Sequence, residues 1–178
     1  VCIDKLWDTR LKEICIPGKI EGYPVTRIGD SAFEECGKIV SVVIPNSVRS
    51  IGNCAFDRCT NLEEINIPDS VTELGSAAFA GCRSLTAVEI PESVRCIKGY
   101  TFENCRNLSS FEMSNGVTSI EEYAFSGCSK LEEVIMPDSV TSIGRNAFAG
   151  CSNLTKLNIS ESVTSIEKET FSKFVKLE

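Results

Sequence analysis

The stretch "SVTSIGRNAFAGCSNL", Ser139 to Leu154, has near-copies in "SVTELGSAAFAGCRSL", Ser70 to Leu85, and in "GVTSIEEYAFSGCSKL", Gly116 to Leu131. A phrase kept this closely marks either a chemical site used several times or a shape used several times. The phase of the copies decides between them. Phe33, Phe56, Phe79, Phe102, Phe125, Phe148 and Phe171 stand 23 residues apart without a slip. A period this short means one coil per unit, each unable to bury its apolar side alone and each burying it against its neighbours.

Other columns keep the same phase. Three residues after each Phe come Cys36, Cys59, Cys82, Cys105, Cys128 and Cys151, and then Phe174. Six after it run Ile39, Leu62, Leu85, Leu108, Leu131, Leu154 and Leu177. Further columns hold Val42 to Leu157, Ile44 to Ile159, Val25 to Val163 and Ile28 to Ile166. Burying one such side chain contributes about 1.5–3 kcal/mol. Continuous files of them offset the ordering entropy of a thin structure.

Within one coil, "LEEINIP" from Leu62 alternates Ile65 and Ile67 with Glu64 and Asn66, the period of a half-buried strand that Pro68 then ends. "PDS" supplies turn residues. "VTEL" is a second extended piece with Val71 and Leu74 inward. "AFAGC" places Phe79 three residues before Cys82, a spacing suited to one or two helical turns closed by Gly81. The coil reads as strand, turn, extended piece, short helix, turn. Like strands should stack at about 4.8 Å into a parallel sheet.

Composition removes whole classes of function. The chain has 178 residues and a net charge of −7, an acidic balance unsuited to nucleic acid, whose phosphates need a basic surface. No apolar run is long enough for a spanning helix, so no direct membrane insertion is expected. There is no histidine, which rules out Ser-His-Asp and Cys-His catalysis and the commonest metal ligand. Paired acids at Glu34 and Glu35, Glu63 and Glu64, Glu121 and Glu122, and Glu132 and Glu133 repeat with the coil and read as solvated faces. No enzyme, no cofactor and no metal are expected.

Ten cysteines invite a disulfide or metal reading. Six of them share one inward column with Phe174, so they read as small buried hydrophobes with free thiols. Cys54 and Cys59 form the only pair at zinc-like spacing, and Cys59 is already inward. Cys15 is expected to be exposed.

At this point the motifs carry a resemblance. "LxxIxIP" resembles the strand signature of leucine-rich repeats, and "SVTxIGxxAFxGCxxL" resembles the 23-residue BspA-like, Treponema-type class, over nearly the whole chain from Leu11 onward. The resemblance implies an α/β repeat solenoid: a right-handed leucine-rich-repeat superhelix with a parallel β-sheet on its concave face and short helical or 3₁₀ turns opposite. It implies a secreted or cell-surface protein engaged in adhesion, and no catalytic residues. The chain then reads as a single domain over 1–178, with a partial first coil and an inserted loop in 1–22, 23-residue coils over 23–171 and a truncated coil over 172–178. Departures are Ser114 and Ser160 in place of Pro, Thr101 and Thr170 in place of Ala, and the insertion within "GKIEGYP", Gly18 to Pro24. That insertion reads as a bulge at one edge, more in the manner of a length polymorphism than of a binding loop.

The outward strand residues are the candidate ligand surface. They are Glu13, Ser41, Val43, Glu64, Asn66, Ala87, Glu89, Ser110, Glu112, Glu133, Ile135, Lys156 and Asn158, with Cys15 beside them. The face is acidic with small apolar patches, and the partner it favours is a basic segment of a host extracellular or cell-surface protein. The competing expectation is a structural spacer without a ligand, its face merely keeping the rod wet.

Lys5 falls where a Phe is expected and Glu178 follows Leu177 directly, so the chain starts and stops inside the repeat. That predicts a piece of a longer array and end-to-end self-association. Trp7 is expected to cover the open end of the stack. Three sequons, at Asn107, Asn153 and Asn158, arise cheaply from repetition and are weak signs of glycosylation.

Overall fold

The computed structural model describes residues 2–3 and 12–172. The expectations for Lys5, Trp7, Leu11, Phe174, Leu177 and Glu178 lie outside the described residues.

Two kinds of strand recur. Three-residue strands at Glu13–Cys15, Ser41–Val43, Glu64–Asn66, Ala87–Glu89, Ser110–Glu112, Glu133–Ile135 and Lys156–Asn158 line one side. Each has its middle residue inward and its outer two toward solvent, as the alternation of the sequence requires. They pair in parallel and in register within three groups that lie side by side: Val42 sits between Ile14 and Ile65 in the first, Val88 beside Phe111 in the second, and Val134 beside Leu157 in the third. Two-residue strands make the second side, for example Ser50–Ile51 beside Glu73–Leu74 and Ser119–Ile120 beside Ser142–Ile143. The parallel order follows from the period, because each strand meets its own copy one coil on.

The third side corrects the expectation of helical turns. No α- or 3₁₀-helix forms among the described residues, so the fold is a parallel β-solenoid of the leucine-rich-repeat kind rather than α/β. The cause lies in two backbone positions per coil. Ser31, Cys54, Ala77, Tyr100, Tyr123, Asn146 and Glu169 all have φ between 53 and 63°, and so do Glu35, Arg58 and Asn104 four residues after the first, second and fourth of them. Left-handed residues cannot continue a right-handed helix. The amides freed in this way reach across to the next coil: Cys54 N–H donates to Ser76 O at 2.9 Å, Phe56 to Ala78 at 2.8 Å and Arg58 to Ala80 at 2.7 Å. Between them run single-turn bonds such as Cys59 N–H to Phe56 O at 3.1 Å. Strain of about 1–3 kcal/mol per left-handed residue is tolerated because these cross-coil bonds over-determine the backbone.

The core is one file of rings flanked by files of aliphatics. From Phe33 to Phe171 successive phenylalanines stack with centroids 4.9–5.8 Å apart and ring planes within 16°. Val25, Val48, Val71, Val117 and Val140 are fully buried, as are Leu62, Leu85, Leu108, Leu131 and Leu154. The columns loosen in the last described coil, where Leu157, Ile159, Val163 and Phe171 are half-buried and Ile166 is 50% exposed.

The departures from the repeat are accommodated individually. Thr101, fully buried where its column has Ala, donates its hydroxyl to Lys98 O at 2.7 Å, and Thr170 does the same to Glu167 O at 2.8 Å. Phe111 takes a Val position and turns edge-on to Phe102 and Phe125, with centroids 5.7 and 4.5 Å away. In the same coil Gly116 occupies a column of serines. A Cβ there would lie 1.9 Å from Glu92 O, so only glycine permits this approach of the turn to the preceding coil. The insertion is an antiparallel hairpin, Lys19–Ile20 against Tyr23–Pro24, reversed at Glu21 and Gly22 with φ of 51° and 85°.

Side chains also link coils. Asn53 N–H donates to Asp30 Oδ1 at 2.9 Å, and Ser76 N–H donates to Asn53 Oδ1 at 2.9 Å. Replacing Asn53 by Ala is expected to cost about 1 kcal/mol. Thermal unfolding should show this as a fall in Tm of about 2–4 °C. An unchanged Tm would show water to be an equal partner for the Ser76 amide.

Candidate functional sheet face

The outward residues of the three-residue strands come together on one surface. Glu13, Val43, Glu64, Asn66, Ala87, Glu89, Ser110, Glu112, Glu133, Ile135, Lys156 and Asn158 are all exposed, Ser41 is half-buried, and Cys15 is exposed beside Val43. All thirteen candidates therefore lie where the alternation puts them, and the pleat brings them into two rows. One row holds Glu13, Ser41, Glu64, Ala87, Ser110, Glu133 and Lys156. The other holds Cys15, Val43, Asn66, Glu89, Glu112, Ile135 and Asn158.

The charge along these rows is uneven. Glu133 and Lys156 are in register, with Nζ 3.7 Å from Oε2, so that pair is neutralised. Glu89 and Glu112 are also in register, one carboxylate directly beside another. Like charges at that spacing are unfavourable in a sheet. Neither they nor Glu64 forms an ion pair within the described residues. The acid is therefore concentrated in the middle of the face. Val43 and Ile135 flank it, 58% and 60% exposed.

The surface is not flat. A depression of about 640 Å³ runs over Val43, Glu64, Asn66, Ala87, Glu89 and Glu112. A second, of about 510 Å³, lies over Glu112, Met113, Glu133 and Ile135, and the two share Ser110 and Glu112. Phe111 and Met113 line the second depression and were not among the residues the alternation marks as outward. Their signal in the sequence is size: Phe111 stands in a column otherwise filled by Val, Ile and Leu.

The column thiols Cys59, Cys82, Cys105, Cys128 and Cys151 are fully buried and unbridged. Each donates to the carbonyl of the Phe one coil back, Cys105 Sγ to Phe79 O at 3.2 Å for instance. Burial pushes all five up, Cys59 and Cys151 to about 12. Burial also raises Cys54, with Asp57 and Glu34 adding to it, and Cys96. These seven thiols are held away from the reactive thiolate. No group of three or more Cys, Asp or Glu among the described residues is placed to hold a metal ion, and no described helix is long and apolar enough to cross a membrane.

A family model described as "BspA type Leucine rich repeat region" matches in six copies over residues 26–129 and 95–178. The leucine-rich repeat protein of T. pallidum is 34% identical with a TM-score of 0.88 over 92% of this chain and 77% of its own. A leucine-rich cell surface protein of Faecalibacterium prausnitzii is 32% identical with a TM-score of 0.64, over 88% of this chain and 48% of its own. A leucine-rich repeat protein of Eubacterium ventriosum is 26% identical with a TM-score of 0.81, over 90% and 42%. This chain thus spans less than half the length of the last two. No curated protein matches the sequence.

Proposed function

The chain belongs to the BspA-type leucine-rich repeat family, and from that premise we propose that it is a non-catalytic binding module of a cell-surface or secreted protein. Its ligand is a basic protein segment held on the sheet of three-residue strands. One observation carries the reading: Glu64, Glu89 and Glu112 are exposed, line one depression and have no cationic partner among the described residues, on strands long enough to present two rows of side chains. A sheet selected only to stay wet gains nothing from placing two carboxylates in register, whereas a cationic ligand turns that repulsion into attraction. The F. prausnitzii relative is described as a cell surface protein, which supports the surface location in this reading.

The test is adhesion of beads carrying the protein to immobilised extracellular-matrix proteins, at low and moderate salt. Reversal to lysine at Glu64, Glu89 and Glu112 is expected to reduce adhesion about tenfold or more at low salt, and salt should weaken the wild type in parallel. A spacer without its own ligand would show the same adhesion before and after reversal.

A further inference from the structure

The layout of this face specifies more than charge. Along one row the order is Val43, Asn66, Glu89, Glu112, Ile135, with Glu64 beside Asn66 on the same strand. Four coil spacings separate the two exposed aliphatics, about 19 Å at about 4.8 Å per coil. An extended peptide advances about 3.4 Å per residue, so about six residues cover that span, and an even step returns the side chain to the same face. Between those ends, alternate residues come down about 7 and 14 Å from the first. The first of these points lies between Glu64 and Glu89, and the second lies over Glu112.

We infer, on the footing of the binding reading above, that the occupant is an extended segment crossing the strands, with two aliphatic residues six apart and a lysine or arginine at each of the two facing positions between them. The aliphatic ends cover Val43 and Ile135, the two large apolar side chains that this face leaves in water. The two cations meet the three carboxylates of Glu64, Glu89 and Glu112, which no described residue neutralises. The two depressions, joined at Glu112, give the segment a continuous bed.

Three capped, fluorescently labelled peptides test this against the full chain by anisotropy. The matched peptide has valines at its first and seventh positions, lysines at its third and fifth, and serines elsewhere. The shifted peptide has the same composition with the last valine moved to position six, which turns it to the other face. The third carries the lysines with serine in place of both valines. The matched peptide is expected to bind about fivefold tighter than either control. Ile135→Ser should remove that advantage while leaving the controls unchanged. Glu89→Gln with Glu112→Gln should weaken all three. Equal binding of matched and shifted peptides, still sensitive to the Glu→Gln pair, overturns the spacing and leaves the acidic-face reading standing. Binding indifferent to the Glu→Gln pair overturns both. Concentration-dependent dimers abolished by Ile135→Ser, with no affinity for the matched peptide, would assign the face to a second copy of the chain instead. The substituted side chains are all exposed, and an unchanged Tm identifies variants that have kept the fold.

Discussion

Raising the pH from about 8 to about 11 is expected to unfold the protein in a single steep transition. The cause is the file of Cys59, Cys82, Cys105, Cys128 and Cys151. Each is a neutral donor to a Phe carbonyl, buried where a thiolate would be desolvated, and the backbone hydrogen bond from the cysteine one coil back offsets only part of that cost. In the unfolded chain these thiols ionise near 9.0; in the folded one burial holds Cys59 and Cys151 protonated to about 12 and raises the inner three well above 9.0. Between those values the unfolded state binds fewer protons than the native state, so stability falls as pH rises. It is fully present below about pH 9 and drains away toward pH 12. Each thiol contributes about 1.4 kcal/mol per pH unit in that window, and five together about 7 kcal/mol per unit. Against a total of about 5–15 kcal/mol, that places the midpoint about one to two units above 9. Circular dichroism across an alkaline titration reads it. With alanine at Cys82, Cys105 and Cys128 the stability should fall with pH at about two-fifths of the original slope, whatever the variant's stability at neutral pH. An unaltered slope would show that groups other than these three thiols drive the transition.

The second large effect is expected at Phe102. It is fully buried, stacked on Phe79 and Phe125 at 5.5 and 5.4 Å and met edge-on by Phe111. Replacement by Ala removes a ring with three aromatic neighbours and leaves a cavity between two coils. About 4 kcal/mol is expected. Phe171, half-buried in the same file, should cost about half as much. Position in the stack matters as well as burial. A solenoid is held by nearest-neighbour contacts, so a defect in the middle separates the coils before it from those after it. Urea unfolding of Phe102→Ala should therefore show a lower midpoint together with a smaller m value or a second phase. Phe171→Ala should keep the m value. Equal costs at both positions would contradict a core built as a file.

Much of this architecture is legible in the residues because period and phase need no knowledge of local backbone. Seven phenylalanines at one interval force one file, and alternation in Leu62 to Pro68 forces Glu64 and Asn66 outward. The turn side was less legible. The three-residue step from Phe79 to Cys82 suits a helix, and it is satisfied instead by isolated turns between left-handed residues. Ser31, Cys54, Ala77 and Tyr100 carry no local sign of positive φ. What holds them there is the row of carbonyls on the next coil, which a local reading cannot contain. Gly81, Gly127 and Gly150 were the only hint, and they also fit the end of a helical turn. On the sheet face the same division appears. Which residues point out follows from the pleat, whereas the depressions depend on Phe111 crowding its column and on how closely the turn at Gly116 approaches Glu92.

That irregular coil has a consequence for how the chain finds its own register. On the turn side each described coil offers its neighbour the same donors and acceptors, so pairing displaced by one whole coil forfeits few backbone bonds there. Slippage is resisted only where units differ: an oversized ring at Phe111, a missing Cβ at Gly116, a buried hydroxyl at Thr101. Making the repeats more alike would erase these landmarks, and the polypeptide would lose its means of telling one rung from the next while it folds.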